Sequence, residues 1–228
     1  MEYPHNRPYT ADDLVHIITL LRDPVNGCPW DKVQTHTSIR MNFLEEAYEA
    51  VDALDLDDPV LMCEELGDVL MQVAFHTCME QETGRFTWEQ VCDGVCQKLI
   101  ERHPNIFGTQ PGYEGITDWD ALKNKEKGRR TLADDLESVP RAMPALMRAA
   151  KLQKRAARHG AALQGADAAA LADAAENLQT AQPASAQAEQ AVGELLVAAN
   201  LARQAGVDPE QALQKANEAF CTAAGPVA

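Results

Sequence analysis

The sequence has no apolar run long enough to span a bilayer, no C-x-x-C pair and no surplus of positive charge. Without a stretch of about 18 apolar residues there is no candidate transmembrane helix, and the opening Met1-Glu2-Tyr3-Pro4-His5 does not read as a secretory signal. The expected setting is the cytoplasm, with no membrane partner. Thirty-five acidic residues against twenty basic ones give a formal net charge of -15, which argues against non-specific binding to nucleic acid or anionic lipid. In so acidic a chain the few Lys and Arg are worth following. The six cysteines, Cys28, Cys63, Cys78, Cys92, Cys96 and Cys221, lack a metal-binding spacing and read as reduced, buried thiols. Aromatic residues are 5% of the 228 positions, and alanine dominates the last third. The length suffices for one or two domains with a real core.

What is present is helical. Thr10 followed by Asp12 and Asp13 reads as an N-cap for an apolar helix over residues 14–21. Two prolines and a glycine then force irregular backbone through Asp23-Pro24-Val25-Asn26-Gly27-Cys28-Pro29. That loop presents Trp30, Asp31, Gln34 and His36. An exposed Trp30 would stack on a nucleobase with polar neighbours to hydrogen-bond it, and the alternative is a Trp that caps the core. Apolar residues at helical spacing predict a second helix from Thr37 or Ser38 to about Leu54. A third follows from Pro59 to about Glu82, apolar nearly all round and so expected to be central. Thr87 should cap a fourth, Trp88 to about Arg102.

Two motifs break the apolar pattern of these helices. Leu44-Glu45-Glu46-Ala47-Tyr48-Glu49 and Glu64-Glu65-Leu66-Gly67-Asp68 each place carboxylates three apart on one helix face. If the helices pack antiparallel across Asp57-Asp58-Pro59, then Glu46, Glu49, Glu65 and Asp68 can meet. Ionised, each like-charge contact near 4 Å would cost on the order of 4 kcal/mol at an effective protein dielectric. A hard divalent cation removes that cost, so E-x-x-E…E-x-x-D reads as a Mg²⁺ site, with Mn²⁺ as a substitute. Glu45 is left over as a residue that orients a ligand, a ligand to a second ion, or the base that activates water; Glu64 should face solvent. Lys98 and Arg102, four apart on the fourth helix, can reach phosphate oxygens, although cations at a helix C-terminus also answer the helix dipole. The basic segment over residues 118–130, which contains Lys123, is either a linker or a strap over bound phosphates.

The last third repeats the plan of the first. A basic helix is expected over residues 141–159, then a poorly ordered Ala-rich stretch within 161–191, a helix near 189–204, the turn Gly206-Val207-Asp208-Pro209 and a final helix to Phe220. Aligning Phe75 with Asn200 sets Gln190 opposite Glu65 and Gly193 opposite Asp68. Aligning Trp88-Glu89-Gln90 with Pro209-Glu210-Gln211 sets Ala219 opposite Lys98. The copy keeps the frame and loses the ligands.

Gly27-Cys28-Pro29-Trp30-Asp31, the paired carboxylates within residues 44–49, Glu64-Glu65-Leu66-Gly67-Asp68 and Glu101-Arg102-His103-Pro104, in that order, resemble the MazG family of nucleoside triphosphate pyrophosphohydrolases. Segments 119–127, 146–160 and 200–220 are similar to it as well, and the likeness is strongest over residues 13–108. The resemblance implies an all-α fold, a MazG-like helical bundle of two tandem repeats with the second degenerate, assembling as a homodimer or higher oligomer. It also implies Mg²⁺-dependent hydrolysis of NTPs or dNTPs to NMP or dNMP and pyrophosphate. Glu46, Glu49, Glu65 and Asp68 are then metal ligands, Glu45 or Glu49 orients water, and Lys98 and Arg102 contact phosphate. The expected domains are a catalytic repeat over 10–108, a linker with the basic segment over 109–140 and a degenerate repeat over 141–222. The rivals are a narrow dUTP or dCTP pyrophosphatase and a non-catalytic nucleotide-binding regulator. A di-iron bundle is disfavoured, because neither Glu49 nor Glu65 has His three residues on.

Overall fold

The structure is a computed structural model that describes residues 2–104, 106–108, 126–128, 131–161 and 167–224, the side chains of 223 and 224 excepted. All regular elements among them are helical. The chain divides into two compact units, Met1–Ile116 and Thr117–Ala228.

In the first unit, α1 (Ala11–Leu21) starts where the sequence signals it. The Thr10 hydroxyl accepts from the Asp13 N–H and the Asp13 carboxylate accepts from the Thr10 N–H, a capping box. Two helices then pack as an antiparallel hairpin, α2 (Arg40–Asp55) and α3 (Pro59–Glu82). The turn between them is made by Asp57, at a positive φ of 54°, and by Asp58, whose carboxylate accepts from the N–H groups of Val60 and Leu61 at 2.9 and 3.1 Å. Pro59 sits in the first turn, where its missing N–H costs nothing. α4 (Trp88–Arg102) opens on a second capping box, Thr87 with Gln90.

The core gathers Val15 and Ile18 of α1, Ile39, Trp88 of α4, and Ala74, Phe75, Cys78 and Met79 of α3. The expectation that α3 is central holds for its second half alone. Before Gln72, Val60, Leu66 and Leu70 are exposed; from Gln72 onward most of the side chains are buried. The difference arises because α1 and the start of α4 cover only the later turns. α2 begins two to three residues later than its sequence suggests. Thr35 and Ser38 bond to each other's backbone N–H, at 3.2 and 2.8 Å, and hold the chain in a turn first.

The second unit holds α5 (Leu132–Glu137), α6 (Ala145–Arg158), α7 (Ala168–Thr180), α8 (Ala186–Gly193), α9 (Leu195–Gln204) and α10 (Pro209–Ala224). Three expectations change here. Within the Ala-rich stretch, residues 168–180 and 186–193 form α7 and α8, capped by Asp167 and Ser185, and residues 162–166 lie outside the described residues. The single helix near 189–204 is broken at Glu194, just after Gly193, a weak helix former. The residues read as linker contain α5, capped by Thr131 and tied to α6 through Asp135, which pairs with Arg155 at 3.0 Å and His159 at 3.2 Å. The cysteines are free, yet only Cys78 is buried; Cys63, Cys96 and Cys221 are exposed. No helix among the described residues is long and apolar enough to cross a membrane.

Candidate active site

The α2–α3 hairpin brings carboxylates together midway along its length. Glu46 and Glu49 of α2 and Glu65 of α3 each offer an oxygen, and the three oxygens lie within 4.8 Å of one another. Glu46 and Glu65 are half-buried and Glu49 is exposed. Asp68, one turn beyond Glu65 and also half-buried, stands outside this group of three, but its charge acts on both Glu46 and Glu65.

The electrostatics follow from the crowding. Burial, then the charges of Asp68 and Glu49, push the Glu46 carboxyl above its ordinary value, opposed by a hydrogen bond from Gln72. Partial burial also raises Glu65, helped by the charges of Glu49, Glu64 and Asp68. Like charges held this close favour a proton or a metal ion between them. An all-oxygen, all-carboxylate donor set suits a hard cation rather than a thiophilic one, so the residues present fit a divalent ion of the Mg²⁺ type.

The other sequence candidates are placed more loosely. Glu45 is exposed on α2 beside Glu46. Lys98 is exposed and Arg102 half-buried on the last turns of α4. Lys123 lies outside the described residues. Trp30 is 56% exposed, so it does not cap the core. Its polar neighbours are occupied in shaping their own loop. Gln34 donates to the Trp30 carbonyl at 2.9 Å and accepts from Ser38 at 2.7 Å. The Asp31 carbonyl accepts from Arg22 at 2.8 Å. His36 turns away to α3, with Nδ1 2.7 Å from His76 Nδ1 and Nε2 2.5 Å from Glu80.

Two features escape a reading from sequence. One is that His76–His36–Glu80 connection, continued to Arg85, which pairs with Glu80. The other is Gln72, whose Nε2 donates to Glu46 at 3.4 Å. Glu65, Asp68, Gln72, His76 and Glu80 recur at steps of three or four residues. They form one polar stripe along α3, and that periodicity was the available signal.

Paired helices closing on carboxylates suited to a hard cation define the class: an all-α protein built around an acidic hairpin. Residues 34–107 match the model of the MazG nucleotide pyrophosphohydrolase domain. The chain is 41% identical over 219 residues to the nucleoside triphosphate pyrophosphohydrolase of Escherichia coli K12, covering 92% of this chain and 83% of that one. It is 38% identical over 212 residues to the nucleoside triphosphate pyrophosphohydrolase/pyrophosphatase MazG of Thermotoga maritima, covering 92% and 82%. A nucleoside triphosphate pyrophosphohydrolase of Mycobacterium tuberculosis matches at 34% over 154 residues, 66% of this chain and 46% of its own. The chain belongs to the MazG family, whose enzymes are hydrolases acting on acid anhydrides.

Proposed function

We propose that the chain hydrolyses nucleoside triphosphates, NTP or dNTP, to the monophosphate and pyrophosphate in a Mg²⁺-dependent reaction that clears or balances the nucleotide pool. The observation that carries this reading is the convergence of Glu46, Glu49 and Glu65 within 4.8 Å. A like-charged cluster on packed helices is costly unless a cation neutralises it. The names of the relatives supply the substrate class.

Glu46, Glu49, Glu65 and Asp68 would hold the ion. When bound, Mg²⁺ supplies charge neutralisation for the triphosphate and lowers the pKa of water. Glu49, in the cluster and open to solvent, orients the attacking water, with Glu45 as the alternative base. Lys98 and Arg102 take up charge on the departing pyrophosphate, Lys123 adds a further phosphate contact, and Trp30, already exposed, stacks on the base. No covalent nucleophile is required.

The catalytic repeat is assigned to 10–108 and the degenerate repeat to 141–222; the stretch 109–140 between them carries the basic segment and α5, which Asp135 ties to α6. The working unit is a homodimer or higher oligomer. Leu66 and Leu70 of α3 and Val95, Leu99 and Ile100 of α4 are all exposed in the single chain, apolar side chains that a second copy would cover. The cytoplasm, where nucleotides are made and used, is the assigned compartment.

The test is product analysis with a panel of NTPs and dNTPs and Mg²⁺. Pyrophosphate and monophosphate from several bases support the reading. Pyrophosphate from dUTP or dCTP alone narrows it to the specific pyrophosphatase. Orthophosphate as the sole product, or no turnover, overturns it.

A further inference from the structure

Gln72 is an amide where an aliphatic side chain would pack. It lies four residues after Asp68 and seven after Glu65, on the same face of α3, and it is 7% exposed, next to the core residues Ala74 and Phe75. Its Nε2 reaches across to α2 and donates to Glu46 Oε1 at 3.4 Å. Its own Oε1 is buried and accepts from nothing.

Burying an unpartnered carbonyl is unfavourable, whereas Leu or Met of similar volume would leave nothing unsatisfied. Glu46, the group its amide touches, is an acceptor only when ionised and then offers that carbonyl nothing. A ligand that carries a donor would satisfy it. Mg²⁺ and Mn²⁺ carry one, since such ions keep several of their waters when carboxylates bind them. The Glu46 bond is longer than the usual 2.7–3.2 Å range for N–H···O, so the pair has room to tighten. An orphan carbonyl is not by itself diagnostic; Gln153 has one too, but its N–H ends on the Leu196 backbone. Gln72 differs because its N–H ends on a carboxylate of the cluster.

We infer that Gln72 is a positioning residue of the cation site: its N–H fixes one oxygen of Glu46, leaving the other for the ion, and its buried carbonyl accepts from a water that the ion brings. This rests on the cation site proposed above. Partners of metal ligands typically change metal affinity by about 10–100-fold when removed.

The experiment compares wild-type protein with Gln72→Met, using Mn²⁺ alone as the probe and the free-ion EPR signal as the readout. Thermal unfolding in EDTA is measured alongside. The expected result is Mn²⁺ binding weakened about tenfold in a variant whose metal-free melting temperature is unchanged or higher. The Mn²⁺ concentration for half-maximal turnover should rise likewise, with kcat at saturating Mn²⁺ largely restored; a general packing defect would not be rescued by metal. Unaltered Mn²⁺ binding in a folded variant overturns the role of Gln72 and leaves the cation site standing. Failure of the wild type to bind Mn²⁺ overturns both. If Gln72→Met does not fold, the side-chain amide NMR signals of Gln72 in wild-type protein decide: they should move on addition of Mg²⁺, and signals that stay fixed while Mg²⁺ binds overturn the inference.

Discussion

Glu46 on α2 and Glu65 on α3 present carboxylate oxygens within 4.8 Å of each other, although each has its pKa pushed upward by burial and by like-charged neighbours. The hairpin holds them there by packing and by its Asp58-Pro59 turn, against their repulsion. Glu46→Gln removes one charge from the group. Partial exposure and salt screen the contact cost of about 4 kcal/mol down to tenths of a kcal/mol for each neighbour. The metal-free variant should therefore melt about 1–2 °C higher than wild type, while gaining less from added Mg²⁺. Differential scanning fluorimetry in EDTA and then in Mg²⁺ checks both. A lower melting temperature in EDTA would show that Glu46 is a stabilising surface charge.

The His36–His76 pair makes a prediction about pH. Burial first, then the nearby His36, lowers the His76 pKa below its ordinary 6.5. Above that value His76 is neutral in the folded and unfolded chain alike, so it contributes no penalty. Below it the unfolded chain binds the proton first, and the native state loses stability as pH falls, until pH passes the lowered native value and the loss levels off. His36 and Phe43 face the ring, Glu80 pairs with His36 on its other side, and Nδ1 atoms 2.7 Å apart cannot both carry protons. Urea titrations from pH 7.5 to 5 should show a steeper loss in wild type than in His76→Gln. Parallel curves would remove His76 from the account of acid sensitivity.

Gly27 supports the loop that carries Trp30. A methyl group there would stand 2.4 Å from the carbonyl oxygens of Asp23 and Leu21, and the same turn is closed by bonds from Gly27 N to Asp23 O and from Cys28 N to Leu21 O. Gly27→Ala should destabilise by about 1–3 kcal/mol, as overpacking does, and raise KM for the triphosphate by shifting Trp30. Chemical denaturation and steady-state kinetics read the two effects separately. A variant equal to wild type in both would mean that the loop adjusts freely.

The exposed apolar side chains of α3 and α4 test the assembly. Leu99→Asp, at a position 49% exposed in the single chain, should be nearly silent for an isolated unit and should dissociate an oligomer. Sedimentation velocity is expected to show a dimer or larger species for wild type and a monomer for the variant. A monomeric wild type would contradict the assembly.

Much of the first unit could be read in advance, and the reasons are particular. Thr10 and Thr87 each stand three residues before a partner that completes a capping box, and Asp58-Pro59 marks the start of α3. Glu46, Glu49 and Glu65 were legible because carboxylates interrupt apolar helical spacing. Gln72 was not, since one amide inside Val69-Leu70-Met71-Gln72-Val73 looks like variation until the helix across from it is known. The contacts His36 makes with His76 and Glu80 cross a loop and a helix, and no local pattern encodes them. In the second unit alanine erases periodic contrast, so α7 and α8 resembled disordered chain; there the caps Asp167 and Ser185 were the better signal. The six residues of α5 were too few for periodicity, although Thr131 and Asp134 spell its capping box.

The central claim is that one carboxylate cluster performs metal-dependent release of pyrophosphate. It is tested most directly by Glu65→Ala, assayed for pyrophosphate from mixed nucleoside triphosphates with Mg²⁺, next to far-UV circular dichroism of the same sample. Loss of at least about two orders of magnitude in turnover with helical content unchanged is the expected result, in keeping with removal of a ligand from a catalytic metal site. Undiminished pyrophosphate release from the folded variant would contradict the assignment of the site.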